Sequence, residues 1–595
     1  MSATDNATPQ PPAGPSDFAE SQQAGLAAML GLANAAPVRP PVPALRPPVP
    51  ALRPPVPALR QPVPAPRIPV PAPPPPQPPA RLPAAVPHAG RERTVPGKLH
   101  RFTHSPRLPL LCILAVQAAL SLRLVWSNTA FMDEALYLWA GHLEIAHLLY
   151  GSVIPAFPTY FSGAPVIYPV LGAIADAYGG LALARLMSLT LMLASTALLY
   201  SVTGRLFGRR AAIGAAAVFA VLGPVQVLGA FATFDAMSVF LLALATWLVI
   251  RARGPSSELL LVAAGLMMAL ADAAKYASAL WNPVIIALAA LTAGQSGVFR
   301  PAMRAVRLTG YVLGALAIAL FRFGGQAYVH GVLFTTLLRQ AGGTPASALV
   351  ILQDSFNWVG LVFVLAAIGL GISFTEGIRT RLLCGTLTAA ILLAPAEQAR
   401  IHILTSLHKH VAFGAWFAAI VAGYALARAA ETNSVRGWRV IAAAAGIAAF
   451  LGLPQANGLY SGWPNSAEMV RDLAPVIARA HCPCLVTENN VVNYYLLDST
   501  LADKFTGAFS FYYWDGSLQR VLHGLPAYQQ AIAGHYFRVV EVDPDENPAI
   551  YAPVTRALAV TRGWRLAASM PSGISHEPFE IWRYDPAWSG SGPLR

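Results

Sequence analysis

The sequence predicts an α-helical multi-span membrane protein with a small C-terminal α/β domain and a disordered Pro-rich N-terminus, and three observations predict it. Of 595 residues, 55% are hydrophobic and only 12% charged, where a soluble domain runs near a quarter charged. Apolar segments of spanning length recur, giving about eleven transmembrane helices. The arginines of the short connections fall in alternate loops, the pattern of cytoplasmic sides in membrane proteins. The formal net charge of +13 therefore reads as topology, and nucleic acid is not expected as a partner.

Residues 1–100 form the first division. Arg-Pro-Pro-Val-Pro-Ala-Leu recurs with a period of seven from Arg39, Arg46 and Arg53, and a proline run follows at Pro73 to Pro76. Such a segment lacks amide donors and favours extended polyproline II chain, so it is read as a cytoplasmic spacer. Residues 101–455 hold the spans, placed at 108–127, 180–204, 211–230, 236–251, 258–273, 277–293, 308–322, 356–374, 382–396, 411–428 and 438–454. The first outer loop, 128–184, contains neither Lys nor Arg, as an outward loop should. An odd number of spans puts residues 456–595 outside the membrane. There, helical stretches alternate with short apolar runs such as Cys484 to Thr487 and Phe537 to Val542, which argues a small, mostly parallel α/β domain. No Gly-x-Gly-x-x-Gly follows these strands, so no nucleotide site is assigned. Of the four cysteines, Cys482 and Cys484 are separated by one residue, a spacing that strains a disulfide.

Chemistry concentrates at the outer face. Asp133 and Glu134 open a segment with apolar residues at helical spacing, read as an amphipathic helix in the outer interface. Carboxylates suit a helix start in any protein, so the pair alone carries little. Asp235 adds a third carboxylate in a very short outward turn, where an ionisable group is costly. The chain has four lysines, Lys98, Lys275, Lys409 and Lys504. Lys275 (followed by Tyr276) and Lys409 (between His408 and His410) stand on the outer side, against the inside bias. Two such cations suggest an anionic ligand, a phosphate above all. Arg185 begins the second span from outside, where it can pair with an acid of the preceding loop or with the same phosphate. Glu397, Arg400 and His402 crowd the loop before Lys409. No cofactor follows from this pattern, although His142, Glu144 and His147 could join the carboxylates around a divalent cation.

This arrangement resembles the GT-C glycosyltransferases, in the branch of protein O-mannosyltransferases and lipid A aminoarabinose transferases. The resemblance rests on Asp133-Glu134 in a large first outer loop, Arg185 ahead of the turn Gly204 to Gly208 (Gly-Arg-Leu-Phe-Gly), Asp235 opening the fourth span and Lys275-Tyr276 after the fifth. It implies a multi-pass plasma-membrane enzyme that inverts the configuration of a hexose, such as mannose, or of a pentose. The donor would be a polyprenyl-phosphate sugar, and the acceptor a protein, a lipid or a cell-wall glycan. The same resemblance implies Asp133 as catalytic base with Glu134 beside it, and Arg185, Lys275 and Tyr276 on the lipid phosphate. His408 and Lys409 extend that phosphate site, and Asp235 and His402 orient it. The rival class is a polytopic transporter or lipid flippase. That class calls for mid-membrane charges and an internal repeat, and neither is read here.

Overall fold

A computed structural model describes residues 107–593, except 254–256, 294–298, 340–344, 431–433, 481, 498–504, 509–510, 518, 547 and 589–591. All of these belong to one compact unit. The Pro-rich repeat, Lys98 and Lys504 lie outside the described residues. The helical part runs in order α1 (Leu108–Val125), α2 (Met132–Tyr150), α3 (Tyr168–Phe207), α4 (Arg209–Ala220), α5 (Gly223–Leu228), α6 (Phe234–Arg251), α7 (Ser257–Ala274), α8 (Asn282–Leu291), α9 (Phe299–Phe323), α10 (Gln326–Thr336), α11 (Ala348–Ser373), α12 (Ile378–Ala389), α13 (Leu393–Ile401), α14 (Leu407–Ala430) and α15 (Ser434–Tyr460).

Among the described residues, nine helices are long and apolar enough to cross a membrane, with α12 and α13 acting as one. The shorter apolar run Tyr276–Leu291 and the broken pair α4–α5 stand at the other two predicted spans. The fold class expected from the sequence is borne out. In α3 the predicted span is preceded by an additional helical stretch, separated from it by a break at Gly179 and Gly180. Gly180 has φ +63°, a backbone region that favours a residue without Cβ.

At the centre lies α14, of which nearly every residue is enclosed. Its sequence alternates Ala and Gly with large aromatics, so neighbouring backbones approach closely, as helix packing in lipid requires. A Cβ on Gly414 would stand 2.5 Å from the Ala390 carbonyl oxygen, and one on Gly423 would stand 2.3 Å from that of Ala211. The helix thereby delivers its outer end, Leu407 to His410, into the interior. α2 departs from the expected interfacial helix. Residues 133–141 are buried on every side, and only the final four, His147 to Tyr150, are exposed. The reason is cover: α3 packs so tightly that a Cβ on Gly141 would meet the Pro169 carbonyl oxygen at 2.0 Å.

The C-terminal part comprises α16 (Ala467–Arg479), β1 (Cys484–Val486), α17 (Asn489–Tyr495), β2 (Phe505–Gly507), β3 (Tyr512–Asp515), β4 (Arg520–His523), α18 (Gly524–Ala533), β5 (Val539–Val542), α19 (Pro548–Val560), β6 (Trp564–Pro571), β7 (Pro578–Tyr584) and β8 (Gly592–Pro593). Its main sheet has the order β2-β1-β5-β7-β6-β8. β5 lies parallel to β1, with Val539 opposite Cys484, and antiparallel to β7. The sheet is therefore mixed, because β6 and β7 pair as an antiparallel ribbon. Cys482 and Cys484 are joined by a disulfide, despite the spacing that argued against one.

Candidate active site

The first turn of α2 carries two carboxylates with different partners. Glu134 closes its own helix end by accepting from the Phe131 amide at 3.0 Å. It also accepts from the Ala232 amide at 2.7 Å and from Arg185 Nε and Nη2 at 2.8 and 2.6 Å. The other donors of Arg185 go to the carbonyls of Val125, Asn128 and Thr129. All five guanidinium N–H groups are thus spent, and both side chains are fully buried. Arg185 knits α1, the following loop and α2 to α3, and has no donor to spare for a phosphate. Of the two tasks open to it in the sequence, the structure gives it the acidic partner.

Asp133 takes a different partner. Its Oδ2 accepts from Lys409 Nζ at 2.6 Å, across a separation of 276 residues. Its Oδ1 is buried and receives no hydrogen bond among the described residues. Lys409 occupies the N-terminal turn of α14, where the helix dipole disfavours a cation by a few tenths of a kcal/mol or more. Its position there is held by the carboxylate. A second pair lies beside the first: Lys275 Nζ and Asp235 Oδ1 stand 2.6 Å apart, both buried. Asp235 sits in the first turn of α6 and also accepts from Thr233 Oγ1 at 3.0 Å. Lys275 follows the end of α7 and is bracketed by the outer loop: the Ala164 amide donates to the Ala273 carbonyl at 2.8 Å, and the Tyr276 amide to that of Ser162 at 2.9 Å. Gly163 makes this approach feasible, since a Cβ there would stand 2.0 Å from the Ala274 carbonyl oxygen. The four charges interact electrostatically.

An aromatic floor completes the arrangement. Lys275 Nζ lies 4.7 Å from the ring centroid of Phe234, and Lys409 Nζ lies 5.8 Å from that of Phe231. Tyr137, one turn beyond Asp133, packs its ring against that of Phe234, tilted by 35° at 4.4 Å between centroids. Burial, with Asp133 and Asp235 nearby, holds its hydroxyl well above the ordinary range, so it stays a neutral donor. The Tyr276 hydroxyl is buried without a partner among the described residues. His408 leans on Trp358 at a ring separation of 5.9 Å, while His410 Nδ1 meets Gln398 Nε2 at 2.9 Å.

Several sequence candidates turn elsewhere. His402 is exposed and places Nδ1 3.1 Å from the Ala346 carbonyl oxygen, so it staples two loop segments. Glu397 and Arg400 pair with each other at the surface. His142 meets Asp176 at 2.8 Å and His147 meets the Ser152 carbonyl oxygen at 2.7 Å. The His142, Glu144 and His147 set is therefore not gathered around a common point, and among the described residues a cation-sized cluster of such ligands is found only at Glu488, Asp543 and Glu546. Arg339 is an addition. It follows α10 and interacts electrostatically with Tyr137 and Asp133. Its signal in the sequence was the same as for the lysines, a cation against the inside bias, but in a longer loop.

Comparisons with known proteins bear on the fold that carries this site. Residues 173–323 match the family of dolichyl-phosphate-mannose-protein mannosyltransferases. The crystal structure of ArnT from Cupriavidus metallidurans in the apo state is similar over 80% of this chain and 97% of its own, with 15% identity and a TM-score of 0.51. The same organism's ArnT bound to undecaprenyl phosphate is similar over 82% and 100%, with 14% identity and a TM-score of 0.55. No curated protein sequence matches the chain. The resemblance read from the sequence is borne out: the chain has the GT-C fold, and its third to ninth helices carry the mannosyltransferase-family pattern.

Proposed function

We propose that this GT-C chain is a glycosyltransferase of the outer membrane face, moving a sugar from a polyprenyl-phosphate donor to an acceptor hydroxyl with inversion. The observation that carries the reading is the divided state of Asp133. One oxygen is fixed by Lys409, and the other is buried, unpartnered and ready to accept a proton. Such a carboxylate is a general base whose geometry is set before substrate arrives.

The chemistry follows from the leaving group. As the acceptor oxygen bonds to the anomeric carbon, the bond from that carbon to the phosphate oxygen breaks, and the acceptor's proton passes to Asp133 Oδ1. Phosphate departs without protonation, so cations rather than a general acid are needed there. Lys275 and Lys409 supply them, with Arg339 behind. Tyr137 and Tyr276 offer neutral hydroxyls beside them. Glu134 and Arg185 have a positioning role. Asp235 holds Lys275 at the site.

Buried ion pairs support this reading through their cost. Taking two charges out of water costs several kcal/mol per ion, and apolar replacements are often neutral or stabilising. Two such pairs at one membrane face are better explained by chemistry than by folding. The test is transfer of radiolabelled mannose from a synthetic polyprenyl-phosphate donor by the purified protein in nanodiscs. Asp133→Asn is expected to lower kcat by about 10²–10⁴-fold with the donor still bound; transfer at the wild-type rate would remove Asp133 from the mechanism.

A further inference from the structure

At the carboxyl ends of the neighbouring parallel strands β1 and β5, the chain collects acids that the transfer reaction does not use. Glu488 follows β1 by two residues, and Asp543 and Glu546 lie in the turn after β5. One carboxylate oxygen from each lies within 4.8 Å of the others. Two oxygens bound to one Ca²⁺ at about 2.3–2.6 Å can stand no farther apart than roughly twice that length, so these three are spaced to share an ion.

The second observation concerns Asp543 itself. It is 1% exposed, its Oδ1 accepts from the Asp545 amide at 2.8 Å, and its Oδ2 receives no donor among the described residues. Asp543 lines a cavity of about 220 Å³, together with Glu488, Asp545 and Glu546, and the lining contains no Lys, Arg or His. A buried carboxylate with one oxygen unpaired and no counter-charge in the lining is costly, and the surrounding backbone is built to hold it. Asp543's own amide donates to Thr487 Oγ1 at 2.6 Å, and Thr487 in turn donates to Glu541 at 2.9 Å. The Glu488 amide donates to the same Glu541 oxygen at 3.2 Å. The two ligand-bearing turns are thus fixed to one buried glutamate.

We infer that Glu488, Asp543 and Glu546 bind a hard divalent cation, with water and Asp545 completing an all-oxygen shell. Calcium fits this set better than magnesium, because the carboxylates come from two turns rather than a rigid octahedral cage. Ala130, Phe131 and Met132 also line the cavity, immediately before Asp133. The ion therefore clamps the sheet onto the start of the helix that carries the base. This position gives it a structural duty independent of sugar transfer.

The experiment uses the full chain, purified in detergent without chelator. Elemental analysis by plasma mass spectrometry, thermal unfolding with and without EDTA, and titration with Ca²⁺ and with Mg²⁺ supply the readouts. One ion per chain, a lower Tm in EDTA, and recovery on adding Ca²⁺ are expected. Asp543→Asn and Glu546→Gln should weaken Ca²⁺ binding at least tenfold. Absence of bound ion together with an unchanged Tm in EDTA would overturn the inference, as would unaltered affinity in both variants. The wild-type measurements decide the matter if a variant does not fold. Because none of these readouts requires transfer, their failure leaves the proposed function standing.

Discussion

Arg185 shows how much one side chain can do when every donor is used. Replacing its partner by Glu134→Gln leaves the guanidinium buried without its counter-charge, an omission worth about 3–5 kcal/mol, so a fall in Tm is expected in thermal unfolding of the detergent-solubilised protein. Lys275 calls for a different test. Lys275→Met strands Asp235 and destabilises the chain, whereas the double substitution Lys275→Met with Asp235→Asn removes both charges. The double variant is expected to regain thermal stability but not affinity for a polyprenyl-phosphate donor, measured as KM. Recovery of both would make the pair purely structural. From sequence, Asp133, Asp235, Lys275 and Lys409 were visible as acids and cations on one face. Which acid takes which cation was not. Asp133 and Glu134 are adjacent, lie about 100° apart around one helix, and differ in what the fold brings to each.

At the scale of elements, α2 and α14 make the site, and each works through small residues. Gly423→Leu would drive a side chain into the backbone of α4 and displace α14. The expected outcome is loss of folded protein or, in any folded fraction, loss of transfer with Asp133 intact; size-exclusion profiles beside activity separate the two. The sequence showed α14 clearly as a span, since its hydropathy is continuous. Its central burial was not legible, because Ala-rich helices read alike whether they face lipid or protein. α2 was misplaced for the complementary reason. Its polar residues Glu134, His142 and Glu144 suggested a wet face, but they are buried or partly buried and the first two are satisfied by Arg185 and Asp176. A pattern of polarity cannot distinguish water from a buried partner.

For the whole molecule, the helical part and the C-terminal sheet meet at the loop before α2. Asn128 Nδ2 donates to the carbonyls of Tyr460 and Trp463 at 3.0 Å each, and the Ala130 amide donates to the Tyr495 hydroxyl at 2.9 Å. Tyr494 reaches Asp176 on α3 at 2.5 Å. The proposed topology puts this junction outside the cell, so a secreted-phosphatase reporter fused after Trp582 is expected to be active and a cytoplasmic reporter there silent. The three deeply buried pairs, Arg185 with Glu134, Lys275 with Asp235 and Lys409 with Asp133, also fix an electrical balance. As built, their charges sum to zero. A phosphodiester donor brings one negative charge, and after transfer the lipid phosphate holds two while Asp133 holds the acceptor's proton. In the proposed reaction the buried charge therefore stays at minus one through transfer, and a second turnover requires both that Asp133 lose its proton and that the dianion leave; departure of the two together returns the cavity to its resting zero.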